Sequence, residues 1–88
     1  MEIKEAVEVA KEFALDLFKD EGIRDPRLEE VDHDEGLGLW HVTVSFLRAP
    51  PGGATGIAAF VLSSDRSFKT ITIAEHSRTI VSVKQKGN

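Results

Sequence analysis

Trp40-His41-Val42-Thr43-Val44-Ser45-Phe46 is the stretch on which the fold turns. Apolar and polar residues alternate through it without a break. In an extended chain successive side chains point to opposite faces, so the pattern predicts a strand with one buried face and one exposed face. Trp40, Val42, Val44 and Phe46 are expected to pack inward. His41, Thr43 and Ser45 are expected to meet water or a partner. A face that carries a tryptophan and a phenylalanine needs a cover, and the rest of the sequence must supply one.

The cover lies upstream. Ile3, Ala6, Val7, Ala10, Phe13, Ala14 and Leu17 recur at steps of three and four, which is one apolar stripe of an α-helix. Val9, Leu15 and Phe18 flank that stripe, and Glu5, Glu8, Glu12, Asp16 and Lys19 lie opposite it. Gly22 suits a helix terminus, and Asp25-Pro26 bars continuation. The expected helix spans 2–20. Leu28 to His33 reads as a short strand that pairs with the 40–46 stretch through the turn Asp34-Glu35-Gly36, giving a hairpin over 27–48.

Downstream, Pro50, Pro51 and the glycines of 49–56 read as a surface loop. The apolar run 57–62 is too short for periodicity to separate a strand from a helical turn. Phe68 to Ala74 and Thr79 to Lys84 are rich in β-branched residues and are joined by Glu75-His76-Ser77-Arg78, a second hairpin over 67–86. Ile71 and Ile73 are expected to share the core face with Val81 and Val83, while Ile80 points outward. Phe68 is out of phase with that face, which suggests a bulge near Lys69 or a rim position for the ring. The expected architecture is α+β, a single domain in which one N-terminal amphipathic helix packs on an antiparallel sheet of about four strands in meander order.

Charge divides the chain at the same place. Residues 1–36 hold 13 of the 15 acids against 5 bases, a net of −8, and residues 37–88 carry a net of +4. An acidic helix is thus expected to lie on a mildly basic sheet. The pI near 5.3 and the scattered bases argue against nucleic-acid binding. No apolar run approaches the roughly 20 residues of a membrane span. The first residues, Met1-Glu2-Ile3-Lys4-Glu5, lack the continuous apolar stretch of a secretory signal, so the cytoplasm is the expected location. With no cysteine there is no disulfide, thiolate nucleophile or cysteine-based zinc site.

Three patterns resemble a known group. The helix from Ala6 to Phe18, the aromatic-led strand from Trp40 to Phe46, and the closing pair Phe68-Lys69-Thr70-Ile71-Thr72-Ile73 with Thr79-Ile80-Val81-Ser82-Val83-Lys84 are similar to small bacterial PepSY-like modules within the cystatin-like folds. Glu75-His76-Ser77-Arg78 stands where such modules usually carry a glycine turn. The resemblance implies a small non-catalytic module, sometimes one that restrains a protease or holds a peptide, with no catalytic residues to carry over.

The residues themselves carry little chemistry. Asp32-His33-Asp34-Glu35 has donor types suited to zinc or manganese, but neighbours on a strand diverge, so a solvated acidic turn is the better reading. His33 and His41 are placed to oppose each other across the first hairpin, where Thr43 and Ser45 are the local hydroxyls and neither sits in a strained turn. Pro50 to Gly56 lacks the Lys-Ser/Thr ending of a phosphate loop. No enzyme activity, cofactor or metal is expected.

Three readings of function follow. The first is an interaction module for a protein or peptide, with a homodimer included, that uses the outer sheet face and the 49–56 loop through Leu39, His41, Leu47, Pro50 and Pro51. The second is a regulatory inhibitor or immunity-type protein whose acidic helix face, including Glu8 and Glu12, meets a basic target. The third is a small-ligand enzyme with a pocket between helix and sheet. A shared apolar patch on the outer face would favour the first. A flat acidic helix face would favour the second, and an enclosed cavity with a titratable lining the third.

Overall fold

The computed structural model describes residues 1–48, 56–57 and 66–86. Helix α1 (Ile3–Leu17) is followed by a single 3-10 turn (Lys19–Glu21) and four strands: β1 (Arg24–Asp34), β2 (Leu39–Leu47), β3 (Arg66–Ala74) and β4 (Thr79–Gln85). The strands form one antiparallel sheet in the order β1-β2-β3-β4, with α1 packed on one face. The α+β meander predicted from the sequence is the fold observed, and in general shape it is consistent with the cystatin-like folds.

α1 forms because its apolar residues share a stripe, and its closest contact with the sheet uses the smallest of them. Ala6, Ala10 and Ala14, spaced by four, are fully buried, so the helix backbone settles directly onto β2 and β3. The helix ends earlier than the expected residue 20. The last turn tightens to i→i+3 bonding, with the Glu21 N–H donating to the Phe18 carbonyl at 2.9 Å, before Gly22 adopts a left-handed φ of 62°. Ile3, Leu15 and Leu17, read as part of the stripe or its flank, are instead exposed. The sheet is too narrow under the helix to reach the margins of so wide a stripe.

Beneath the alanines lie Trp40, Val42, Val44 and Phe46 of β2 with Ile71 and Ile73 of β3, all buried. β2 therefore presents its even-numbered residues to the helix, as the alternation predicts. Phe18 closes one end of this core against Phe46, with ring centroids 5.3 Å apart. At the other end His33 stacks on Trp40 at 4.0 Å, the rings within 6° of parallel.

β1 is longer than the predicted strand and starts before Pro26. An edge strand tolerates a proline because one side of its backbone needs no partner. Two register shifts interrupt it, between Arg24 and Arg27 and between Leu28 and Glu30, and Asp25 sits at a φ of 51° within the first. From Glu30 to Asp34 its pairing with β2 is unbroken.

The β3–β4 pair corrects the expected register. Ile71 faces Val83, but Ile73 faces Ile80, and the shift leaves Val81 as the extra residue of a bulge. Ile80 consequently packs against the core and Val81 is 57% exposed, the reverse of the sequence reading. No bulge lies at Lys69. That residue pairs with Val44 on the helix face, its ammonium 5.7 Å from the Phe18 ring, while Phe68 lies on the outer face opposite Ser45.

The two hairpin turns are tied together. Gly38 takes a φ of 65° in the first, and its carbonyl accepts the Glu75 N–H of the second at 2.9 Å. Arg78 adopts the left-handed conformation (φ 57°) that a glycine would otherwise supply, and its guanidinium pairs with Glu5 of α1 at 2.7 Å. The loop 49–56 falls outside the described residues except for Gly56. In the 57–62 run only Ile57, helical and exposed, is described.

Candidate interaction surface

The outer face of the sheet is polar at its centre. Strand pairing sets Asp32, His41, Thr72 and Ser82 in one row across β1 to β4, and Glu30, Thr43, Thr70 and Lys84 in the next. His41 Nδ1 lies 3.0 Å from the Thr72 hydroxyl, and the hydroxyls of Thr43 and Thr70 are 2.9 Å apart. Lys86, just past β4, forms an ion pair with Glu30, bridging the two edge strands across this face. Thr43, Ser45 and Thr72 are buried, although the alternation in β2 places Thr43 and Ser45 facing water or a partner. Their own cross-strand partners satisfy them, which removes the need for solvent.

Ser45 is the most connected. Its hydroxyl donates to Glu29 and accepts from Arg66 Nε at 2.9 Å. The same guanidinium donates to the Ser45 carbonyl, to the Asp25 carboxylate at 3.0 Å and to the Asp25 carbonyl. The bond from Arg66, helped by Arg27, holds the Asp25 carboxyl below the usual aspartate value. This network fastens the strained start of β1 to β3. Every member is engaged, so the arrangement is structural and leaves no free nucleophile.

Leu39 and Leu47 lie at opposite ends of β2, with His41, Thr43 and Ser45 between them, opposite Ala74 and Arg66 respectively. Each is half-buried. They do not join into a patch, and Ile80, expected beside them, is on the other face. Leu37 is exposed in the first turn. His33 pairs with Trp40 on the helix face and His41 with Asp32 on the outer face, so the two histidines do not meet. The same divergence splits Asp32-His33-Asp34-Glu35, and among the described residues no group of three or more His, Asp or Glu is placed to hold a metal. Pro50 and Pro51 lie outside the described residues.

His33 Nε2 lies 3.2 Å from the Glu75 carboxylate. That contact is the main reason the Glu75 carboxyl sits below the usual glutamate value; partial burial opposes it, and the Trp40 indole and the amino group of Met1 (3.6 Å) add to it. The indole N–H is buried yet forms no bond of normal geometry among the described residues. Its influence on Glu75 is thus that of a nearby dipole.

Two of the exposed apolar residues, Ile3 and Leu28, do converge. Ile3 and Val7 of α1 and Leu28 of β1 line an open groove of about 370 Å³, with Lys4 and Glu8 at its rim. Ile3 is 52% and Leu28 41% exposed. The volume is at the small end of the roughly 300–1,000 Å³ typical of binding pockets. Lys4 and Glu8 balance at the rim, and Glu12 is exposed one turn beyond Glu8, so the helix turns acidic just past the groove. Of the residues singled out in the sequence, only Glu8 lines this groove. In the sequence Ile3 belongs to the helix stripe and Leu28 to a short strand of mixed polarity, and nothing in a linear pattern marks which such positions lie at an uncovered margin.

No protein-family model matches the chain, no curated protein matches it, and no solved structure does. No helix among the described residues is long and apolar enough to cross a membrane.

Proposed function

We propose that this chain is a non-catalytic interaction module that engages a protein or peptide partner along its α1–β1 side. The groove between Ile3, Val7 and Leu28 carries the reading, because Ile3 and Leu28 remain exposed together there, beside a strand edge that no other described strand covers. The outer sheet face is a weaker candidate: its central polar groups pair with one another, His41 with Thr72 and Thr43 with Thr70, and they hold Leu39 and Leu47 apart. The general shape shared with cystatin-like folds, and the sequence likeness to PepSY-like modules, support a role in holding a peptide or restraining another protein. The acidic helix surface, with Glu8, Glu12 and Asp16 exposed, favours a basic partner over an acidic one.

The test is a random peptide display library panned on the immobilised protein, in parallel with an Ile3→Ser/Leu28→Ser variant and a His41→Ala/Leu39→Ser variant. The proposal expects a shared peptide motif to be enriched by the wild type and by the outer-face variant, and to be lost with the groove variant while its circular dichroism stays native. Enrichment that survives the groove variant, or that only the outer-face variant abolishes, would overturn it.

A further inference from the structure

We infer that the occupant of this groove is an extended basic peptide that adds to the sheet as a fifth strand along β1; the inference rests on the groove reading above and specifies the partner's chemistry. β1 is a sheet edge. It is bonded to β2 on one side, and among the described residues no strand lies on the other. Such an edge presents the outward N–H and C=O groups of alternate residues as a template for another chain.

The template has a defined extent. Bulges and Pro26 disrupt the half from Arg24 to Glu30, whereas Glu30 to Asp34 keeps regular extended pairing with β2. A strand laid against that regular half would send alternate side chains under the N-terminal half of α1. There they would meet Ile3, Val7 and Leu28, the unfinished margin of the core. The added strand would continue the layer that α1 covers, with neighbouring strands about 4.8 Å apart.

Charge selects the sequence of that strand. α1 carries four acids and two bases, and β1 carries five acids and two bases. Glu5, Asp25 and Glu30 are ion-paired with Arg78, Arg66 and Lys86, while Glu8, Glu12 and Asp32 stay exposed, so the net charge left on the two elements favours a basic chain over an acidic one. The same charges disfavour β1 pairing with β1 of another copy. Pairing with β4, the basic edge, would be head-to-tail and would not close into a dimer; β4 is also interrupted at Val81, and Lys86 already pairs with Glu30.

The probe is a fluorescein-labelled heptapeptide of alternating lysine and valine, capped at both ends, followed by anisotropy with the full chain. Controls are its glutamate–valine and lysine–serine counterparts and two versions N-methylated at alternate amides, one for each edge of the peptide. The inference expects saturable binding of the lysine–valine peptide that weakens as salt rises. Each composition control, and N-methylation of one edge but not the other, should weaken it by about tenfold or more. Binding that is indifferent to N-methylation on both edges would overturn strand addition while leaving the groove reading intact. So would failure of the basic peptide when panned groove-dependent ligands do bind. Binding unchanged in the Leu28→Ser variant would sink the groove reading itself. A dimer seen by light scattering that this peptide displaces would make a second copy the occupant and overturn the inference.

Discussion

Replacing Trp40 by alanine tests whether the even-numbered face of β2 is the core. The side chain is 6% exposed and lies with Val42, Ile73 and the His33 ring. A buried tryptophan removes about 150–250 Å² from water, and at about 25 cal/mol per Å² that is roughly 4–6 kcal/mol as an upper bound. Substitutions of this kind cost about 3–5 kcal/mol in practice. One term runs the other way: among the described residues the buried indole N–H has no hydrogen-bond partner, and removing an unsatisfied donor returns about 1–3 kcal/mol. The expected net loss is about 3 kcal/mol. A chain of 88 residues has a total stability of roughly 4–13 kcal/mol, so the variant is destabilised severely and its Tm falls by roughly 12–24 °C. Urea denaturation followed by far-ultraviolet circular dichroism measures it. Trp40→Phe, which keeps a ring and discards the orphan donor, should stay within about 1 kcal/mol of the wild type. A loss below about 1 kcal/mol for the alanine variant would mean that the indole faces solvent and that the strand phase is inverted.

Three further outcomes follow from particular contacts. Ile80→Ala should cost about 1–2 kcal/mol, at or below the low end for a core isoleucine because the residue is half-buried, whereas Val81→Ala should stay within about 0.5 kcal/mol; equal costs in urea titrations would remove the bulge. Glu75 has a folded value below the 4.5 of a free glutamate, so its stabilising contribution is complete above about pH 4.5 and fades as pH falls through the folded value. Glu75→Gln should flatten that part of the stability–pH curve, and an unchanged acid slope would show that the His33 contact contributes nothing. Gly38→Ala should lose about 1–2 kcal/mol to its left-handed φ of 65°, since an added Cβ would meet only ordinary contact with His76 at 3.9 Å. Gly36→Ala, where no such φ applies, should change little, and thermal melts of the pair decide the point.

The helix, the phase of β2 and the meander order were legible because each rests on a repeated period: three to four residues for α1, two for Trp40 to Phe46. The β4 register was not. Ile80, Val81 and Val83 are all apolar and β-branched, so composition fits either phase, and only the cross-strand shift at Thr72/Ile73 selects Ile80. The length of β1 was hidden for a similar reason, since Arg24 to Glu30 is polar, contains Pro26 and is bulged. The burial of Thr43 and Ser45 depends on partners far along the chain, Thr70 for one and Arg66 with Glu29 for the other. The groove joins Ile3 to Leu28 across the fold, and each alone reads only as an apolar member of its own element. Its charge was nonetheless visible from the start, since both walls come from the acidic first 36 residues.

Backbone amide chemical-shift mapping with the lysine–valine peptide bears most directly on the α1–β1 wall as the binding surface. The account predicts saturable shifts concentrated at residues 3–8 and 28–34, with His41, Thr70, Thr72 and Ser82 unmoved. Shifts concentrated on that second set would contradict it, transferring the interaction to the opposite face of the sheet.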